Sequence, residues 1–383
     1  MRFFHLSDLH IGIKLMNRDL SEDLDFVLAQ VIRCASKYRP DAVLLAGDIY
    51  DKAVPSAEAV SQFDRFLTAL TEAVPEAEIM AISGNHDSAP RINAYRALLS
   101  GRHVHMIGLP PMKPDEHIEK VTLSDEHGKV HFYLLPFVRP ANIRLIAENA
   151  ENGANSSYNE AVSRLIGREA VDESERNVLV SHQFYIPSGE DVAKIPRAES
   201  EIVTVGNIDA VDAAVLKRFD YAALGHIHRP MNAGDDRHRY SGTPLAMSVS
   251  EAGQEKGIVM VDLGKKGEIR TEVLPLRPLR RIRLLEGRLE ELLKEPSEDY
   301  VRVTLTDTEE FDAFDMQERL RLAFPNLLEI RRAVMKRSDY TVSSERPSEM
   351  SAYELCASFL GGLTEEEAEV MKEVIDEAEE VRV

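Results

Sequence analysis

Five short polar clusters in this 383-residue chain contain the residue types that bind divalent metal ions. They are Asp8-Leu9-His10, Gly47-Asp48-Ile49-Tyr50-Asp51, Gly84-Asn85-His86-Asp87, Ser181-His182 and Gly225-His226-Ile227-His228. Carboxylates, imidazoles and a carboxamide without cysteine favour manganese, iron or zinc at a catalytic site over a structural zinc site. One such cluster is a weak signal, but five in order, each after an apolar run, are not explained by chance.

Seven side chains in these clusters are enough to bind two metal ions if one carboxylate is shared. The predicted ligands are Asp8, His10, Asp48, Asn85, His182, His226 and His228. Asp48 is the central candidate for the shared carboxylate. Two ions about 3.5–4 Å apart clamp a phosphate and generate a hydroxide for in-line attack. The clusters therefore predict a phosphoesterase.

One imidazole and two carboxylates of the same clusters are left outside the ligand set. We expect His86 to face the substrate, either as general acid on the leaving oxygen or as a positive charge that stabilises the transition state. Asp51 is expected to hold the His86 imidazole in one tautomer. Asp87 is expected to support the ligands through hydrogen bonds.

Each cluster follows an apolar run that predicts a buried strand. The runs are residues 1–7, 42–46, 78–83, 178–181 and 221–224, and helical patterns separate the first three. This order predicts an α/β fold with parallel or mixed strands covered by helices. The carboxyl ends of such strands meet at one edge, where ligands bind. The glycines before Asp48, Asn85 and His226 suit tight turns in which backbone segments approach closely.

The rest of the chain divides into further segments. Residues 103–136 predict β hairpins with a turn at 126–129, and residues 257–275 predict another hairpin. Ser157 and Glu160 form a capping-box pattern that opens a helix to about residue 171. We predict a first domain at 1–275, a small α+β domain at 276–337, a linker at 338–347 and a helical segment at 348–383.

Composition limits the possible functions. Apolar residues make up 44% and charged residues 29%, which is ordinary for a globular protein. No apolar run approaches the ~18–20 residues that span a bilayer, and the two cysteines lie far apart, so we expect a cytoplasmic protein without disulfides and without a membrane partner.

The net charge of −20 argues against tight autonomous DNA binding. Nearly half of it lies in residues 348–383, which hold 11 acidic and 2 basic side chains, so DNA is not excluded as a substrate.

The clusters resemble the calcineurin-like metallophosphoesterase superfamily, whose motifs are D-x-H, GD, GNHD, H and GHxH. The longer matches DLHIG, GDIYD, SGNHD, LLPFVRP, SHQF, GHIHRP and YSGTPLAMSVSE resemble the SbcD family, which is related to the double-strand-break-repair nucleases. The resemblance covers residues 1–275 by motif and the rest by architecture. It implies a β-sandwich flanked by helices, a small α+β capping domain and a C-terminal helical tail.

The resemblance also implies an activity. SbcD proteins are manganese-dependent DNA nucleases that degrade duplex ends and cut hairpins or single strands, in DNA repair and recombination. The family pattern places Asp8, His10, Asp48 and His228 on one metal ion, Asp48, Asn85, His182 and His226 on the other, and the catalytic histidine at His86.

Partners are likewise implied by the resemblance. The family works with an SMC-like ATPase, SbcC, and the helical segment at 348–383 would dock on its coiled coil. Alternatively this segment packs on its own domain or forms a solvated acidic end.

The resemblance also implies that the capping domain contacts DNA, with Arg280, Arg281, Arg283, Arg331 and Arg332 as candidates. The family dimerises, and the exposed side of a helix at 56–74 is our candidate surface. We expect a nucleoid-associated homodimer.

Two other functions are compatible with the clusters. The first is a small-molecule phosphodiesterase or phosphatase with the same metal set; the extra domain after residue 275 and the YSGTPLAMS segment argue against it. The second is a non-catalytic scaffold that keeps a metal fold, against which the presence of His86 and all seven ligands argues.

Overall fold

Two six-stranded sheets packed face to face form the larger part of the chain. The computed structural model describes residues 1–94, 96–143, 157–190, 195, 197–201, 209–307, 312–333, 353 and 364–380. In chain order the strands are β1 Arg2–Leu6, β2 Lys14–Leu15, β3 Arg18–Asp19, β4 Ala42–Ala46, β5 Glu78–Ile82, β6 Val104–Ile107, β7 Glu119–Asp125, β8 Gly128–Leu135, β9 Arg176–His182, β10 Phe184–Ile186, β11 Ala210–Asp212, β12 Tyr221–Gly225, β13 Met231–Asn232, β14 His238–Tyr240, β15 Lys256–Leu263, β16 Ile269–Leu276, β17 Ile282–Gly287, β18 Tyr300–Leu305 and β19 Leu327–Arg332. The helices are α1 Ser21–Tyr38, α2 Ala57–Ala73, α3 Ala89–Ile92, α4 Arg96–Ser100, α5 Tyr158–Gly167, α6 Leu289–Leu292, α7 Ala313–Ala323 and α8 Glu365–Glu380.

The first sheet has the order β16-β15-β1-β4-β5-β6. Its strands β1, β4, β5 and β6 are parallel to one another. The strand β15 pairs antiparallel with β1, and β16 pairs antiparallel with β15. The helices α1 and α2 connect parallel strands and pack their apolar faces on the outer side of this sheet. Ser56 caps α2 by accepting a hydrogen bond from the Ala59 amide, which satisfies an otherwise unpaired donor.

The second sheet has the order β13-β14-β12-β9-β8-β7, with β14, β12, β9 and β8 parallel. The helix α5 covers its outer face, and the predicted Ser157–Glu160 capping box is formed. Between the sheets lies an apolar core in which the ring of Phe3 makes edge-to-face contacts with Phe132 at 5.5 Å and Tyr221 at 5.6 Å. Burying each such ring contributes about 1.5–3 kcal/mol. The predicted β-sandwich flanked by helices is confirmed.

Some predicted elements differ from those observed. The strand β6 was expected in a hairpin, but it extends the first sheet by pairing in parallel with β5. Only β7 and β8 form the hairpin in that region. The helix that begins after Ser157 ends at Gly167 rather than near residue 171. The predicted hairpin at 257–275 is confirmed as β15 and β16.

A third sheet, β17-β18-β19, is parallel and packs against α6 and α7 around its own apolar core. The Asp23 carboxylate of α1 is fully buried and joins this unit to the sandwich, since it accepts hydrogen bonds from Arg280 Nη1 at 2.7 Å and Tyr300 Oη at 2.8 Å. The domain boundaries stay predictions. The predicted linker at 338–347 lies outside the described residues. Within the predicted helical segment at 348–383, the structure describes residue 353 and residues 364–380, and the latter contain α8.

No helix within the described part of the chain is long and apolar enough to cross a membrane.

Candidate metal centre

The five polar clusters lie at the carboxyl ends of β1, β4, β5, β9 and β12, where the two sheets meet. In the second sheet the strand register places two of the clusters side by side, because Gly225 of β12 pairs with His182 of β9. Close side-chain contacts connect clusters that are far apart in sequence. His10 Nε2 lies 3.0 Å from His228 Nε2, His182 Nε2 lies 3.2 Å from Asp48 Oδ2, and His226 Nδ1 lies 2.8 Å from Asn85 Oδ1.

Asp8 completes this group of predicted ligands. Its carboxylate is fully buried and accepts hydrogen bonds from the Ser7 hydroxyl and from the His226 amide, the latter at 3.0 Å. The structure thus brings all seven predicted ligands together. Their assignment to a metal ion stays a prediction.

Left-handed backbone conformations orient the ligands that follow the first sheet. Asp8, His10 and Asp48 have φ angles of 54°, 42° and 50°. The turns lock together, since the Asp8 amide donates to Gly47 O at 2.9 Å and the His10 amide donates to Asp48 O at 3.0 Å. Such conformations cost on the order of 1–2 kcal/mol per residue, and this strain is typical of functional sites.

Glycine at position 84 allows the turns after β4 and β5 to approach each other. A Cβ atom there would lie 2.1 Å from Asp48 Oδ1 and 2.5 Å from the Asp48 amide nitrogen. A Cβ at Gly225 would lie 2.0 Å from Ala46 O. The expectation that these glycines permit close backbone approach is confirmed.

Hydrogen bonds on the far side of two imidazoles set which ring nitrogen faces the centre. His182 Nδ1 donates to the Ala46 carbonyl oxygen at 2.7 Å, so Nε2 is the ring nitrogen directed at Asp48. His228 Nδ1 lies 2.7 Å from Ser200 Oγ. Its Nε2 therefore faces His10. Imidazoles fixed from outside in this way are typical of metal ligands.

The crowding of lone pairs at the centre fits bound cations. Ligand-type atoms lie within 4.8 Å of one another in three groups, which are Asp8 with His10 and His228, His10 with Asp48 and His86, and Asp8 with Asp48 and His182. Buried His10 Nδ1 has no hydrogen-bond partner among the residues that the structure describes. Carboxylate oxygens and imidazole nitrogens in such proximity form a donor set for divalent transition metals.

Burial and charge shift the protonation of these groups. Burial raises the pKa of Asp8 to about 7, and it lowers the pKa of His228 to about 3. Burial also acts to raise the pKa of Asp48, but the neighbouring histidines, His182 foremost, together bring that pKa below its ordinary value. Burial acts to lower the pKa of His182, but Asp48, together with Asp8 and the Ala46 carbonyl oxygen, raises it to about 9. A cation beside the carboxylates would stabilise their charged forms in the same way.

His86 lies at the rim of the centre and is partly exposed. Its amide donates to Asp48 Oδ1 at 2.9 Å, and its ring lies edge-to-face with His10 at 4.7 Å. The expected contact with Asp51 exists, but it differs from the prediction. His86 Nδ1 lies 2.9 Å from the backbone carbonyl oxygen of Asp51, whereas the Asp51 carboxylate lies 3.9 Å from His10 Nδ1.

Asp87 connects the turns after β4 and β5. Its buried carboxylate accepts hydrogen bonds from the amides of Ile49 at 3.0 Å, Tyr50 at 2.9 Å and Gly84 at 2.9 Å. Asp87 therefore holds the backbone that presents Asp48 and Asn85, and its expected support of the ligands is exerted through that backbone.

Residues that the sequence did not single out support the histidines of the last cluster. Arg197 Nη2 lies 3.1 Å from His226 Nε2, and its guanidinium stacks on Phe184 at 4.4 Å. Glu201 accepts a hydrogen bond from the His228 amide at 2.9 Å. Because these residues follow no predicted strand, their spacing in the sequence does not indicate that they lie near the metal centre. Glu251, which ends the YSGTPLAMSVSE motif, contacts the same segment.

Comparisons with known proteins agree with this geometry. Residues 1–230 match the family described as calcineurin-like phosphoesterase, and residues 275–361 match the type 5 capsule protein repressor C-terminal domain. The SbcD subunit of the nuclease SbcCD from Staphylococcus epidermidis is 27% identical over 347 residues, which cover 88% of this chain and 87% of that protein. The protein of the same name from Staphylococcus saprophyticus is 29% identical over 337 residues, covering 86% and 84%. These matches confirm the predicted resemblance to the SbcD family.

Among solved structures, a dimetal phosphatase from Danio rerio covers 71% of this chain and 98% of its own, with 13% identity and a TM-score of 0.39.

Proposed function

Because the chain belongs to the calcineurin-like phosphoesterase family, we propose that it is the nuclease subunit of a DNA repair complex. It would hydrolyse phosphodiester bonds as a double-strand exonuclease and as an endonuclease on hairpins or single strands, with manganese as the metal. The observation that carries the proposal is the convergence of seven ligand-type side chains with His86 at their rim. The relatives named as nuclease subunits, matched over 84–87% of their length, support nucleic acid as the substrate.

Contacts within the centre support the division of ligands between two metal ions. His10 and His228 contact each other, which favours a first position bounded by them, Asp8 and Asp48. His182 and His226 both contact Asn85 Oδ1, at 3.0 and 2.8 Å, and His182 also contacts Asp48; these four residues would hold the second ion. Bound ions supply two effects, polarisation of the phosphate and a lowered pKa of water.

His86 is the residue that we assign to the leaving oxygen. Its Nδ1 donates to the Asp51 carbonyl oxygen, so the free ring nitrogen is Nε2. A proton held at Nε2 would pass to the leaving oxygen as the phosphodiester bond breaks. The backbone acceptor fixes this orientation whatever the protonation state of the Asp51 carboxylate.

The proposed partners are an SbcC-type ATPase, DNA and a second copy of the chain. In α8, Val370 and Val374 are about 60% exposed, as a helix that docks in a groove requires. Arg280 pairs with Asp23 and Glu22, Arg283 with Asp299 and Arg331 with Glu329. Among the described residues this leaves Arg281 and Arg332 as the predicted DNA contacts without an ion pair. Val60 is exposed on α2, the predicted dimer surface. A cytoplasmic location stays a prediction.

The deciding experiment compares two substrates in the presence of Mn²⁺, namely end-labelled duplex DNA with a hairpin at one end and a generic phosphodiester dye. The proposal predicts cleavage of the DNA and its loss in EDTA. Turnover of the dye alone would favour the small-molecule phosphodiesterase, and metal binding without turnover of either would favour the scaffold.

A variant separates chemistry from metal binding. His86→Gln should still bind two Mn²⁺ ions by titration calorimetry but should cut DNA at least about 10²-fold more slowly, the usual contribution of a general acid. Undiminished cleavage would remove His86 from its proposed role.

A further inference from the structure

A chain of hydrogen bonds leads from His228 into the protein. Ser200 Oγ lies 2.7 Å from His228 Nδ1 and donates its proton to Glu251 Oε1 at 3.1 Å. A serine hydroxyl has a single proton, so toward His228 this oxygen acts as acceptor. The imidazole must then carry its proton on Nδ1. Its lone pair is left on Nε2, the atom that lies 3.0 Å from His10 Nε2.

Glu251 is a well-fixed end for this chain of hydrogen bonds. Its side chain is fully buried, although it follows no strand of the metal centre. It accepts further hydrogen bonds from Ser248 Oγ at 2.8 Å, Thr243 Oγ1 at 3.0 Å and Lys256 Nζ at 2.7 Å. Lys256 Nζ also donates to the His228 carbonyl oxygen at 2.9 Å. The pair therefore supports both the ring and the backbone of this histidine.

We propose that Glu251, acting through Ser200, is a positioning residue that fixes the tautomer and ring orientation of His228 for metal binding. The inference rests on the proposed function, since it assigns His228 to the first metal position. The ring nitrogen of a metal-bound imidazole that faces away from the metal donates to a carboxylate, a backbone carbonyl oxygen or water, and loss of such a partner lowers metal affinity about 10–100-fold. Here the carboxylate lies 4.0 Å from Nδ1 and the serine hydroxyl bridges the gap.

The test measures Mn²⁺ binding to the full-length protein by titration calorimetry. Ser200→Ala removes the bridging hydroxyl, and we expect two binding events of which one is weakened about 10–100-fold. Ser200→Thr keeps a hydroxyl and should retain both affinities. Glu251→Gln should weaken the same event; because it also leaves Lys256 without its carboxylate, its folding is checked by circular dichroism, and Ser200→Ala decides the question if it does not fold.

Ser250→Ala is the matched control. Ser250 Oγ accepts the Glu199 amide at 2.9 Å and so holds the same segment without contacting His228. Equal weakening in Ser200→Ala and Ser250→Ala would mean that only docking of the segment matters, and unchanged affinities in Ser200→Ala would likewise overturn the inference. Absence of Mn²⁺ binding to the wild-type chain would instead refute the proposed function itself.

Discussion

The ligands that follow the first sheet and the histidines that end the second are held in different ways. Asp8, His10 and Asp48 lie in two turns that are joined by backbone hydrogen bonds, from the amides of the first turn to the carbonyl oxygens of the second. His226 and His228 contact side chains of the segment at 197–201, and through it Glu251. Damage to the first group should therefore disturb the fold and the metal centre together, whereas damage to the second should lower metal affinity at little cost in stability.

Gly84→Ala should produce the largest effect. The new Cβ would lie 2.1 Å from Asp48 Oδ1, so the turn must move and the proposed shared ligand with it. A displacement of about 1 Å costs on the order of 10²-fold in rate, and we expect at least this loss in the DNA cleavage assay.

The control for that change is Gly167→Ala at the end of α5, where an added Cβ meets nothing within 4 Å. Its activity should equal that of the wild type. Full activity in Gly84→Ala would show that the turns are less rigid than their interlocking implies.

Asp87→Asn should lower the free energy of unfolding. The carboxylate accepts three backbone amides, and a carboxamide leaves at least one of them without an acceptor, at a cost of about 1–3 kcal/mol. Urea unfolding followed by circular dichroism measures this loss. Asp64→Asn, on the exposed side of α2, should stay within about 0.5 kcal/mol of the wild type.

Glu201→Gln should affect metal binding more than stability. Its Oε1 accepts the His228 amide, and glutamine keeps one acceptor oxygen but removes the charge that pairs with Arg197. We expect about 10-fold weaker Mn²⁺ binding, with a loss of unfolding free energy no larger than that in Asp87→Asn, because the acceptor oxygen for the His228 amide is kept. A larger loss of stability than in Asp87→Asn would reverse the proposed distinction between the two groups of ligands.

Asp51→Asn should have the smallest effect on cleavage. The acceptor for His86 Nδ1 is the Asp51 backbone oxygen, which the substitution keeps. The rate of DNA cleavage should fall by less than about 10-fold, compared with the 10²–10⁴-fold expected if the side chain were needed for proton transfer. A loss in that larger range would restore the orienting role first predicted for the carboxylate.

The sequence predicted which side chains converge at the centre better than it predicted the residues that support them. Asp48 and His182 each follow an apolar strand, and parallel pairing makes strand ends converge, so position along the chain indicated position in space. Ser200 and Glu201 lie in a polar segment whose spacing resembles that of any solvated loop. Their contacts with His228 span 27–28 residues of sequence and arise only when the chain is folded.

The fold shows a similar limit. Apolar runs predicted helix-covered parallel strands, but the second sheet and the sandwich came from the family resemblance. The strand β17 was not predicted because apolar and polar residues do not alternate regularly in its sequence, IRLLEG. One of its apolar side chains, Leu284, is 57% exposed. The strand β6 is four residues long, too short for its pattern to distinguish a parallel partner from a hairpin.

The non-glycine residues with positive φ angles limit where this protein can be stabilised by substitution. Among the described residues, eight non-glycine residues have positive φ, and four of them are predicted ligands, namely Asp8, His10, Asp48 and His226. Glycine at any of these four positions would relieve backbone strain, but it would also remove a buried side chain whose contacts hold the turns in place, and with it a predicted ligand. Arg39, in the same conformation at the end of α1, offers about 1 kcal/mol from Arg39→Gly without that penalty. A more heat-resistant variant should therefore be sought at left-handed positions outside the candidate metal centre.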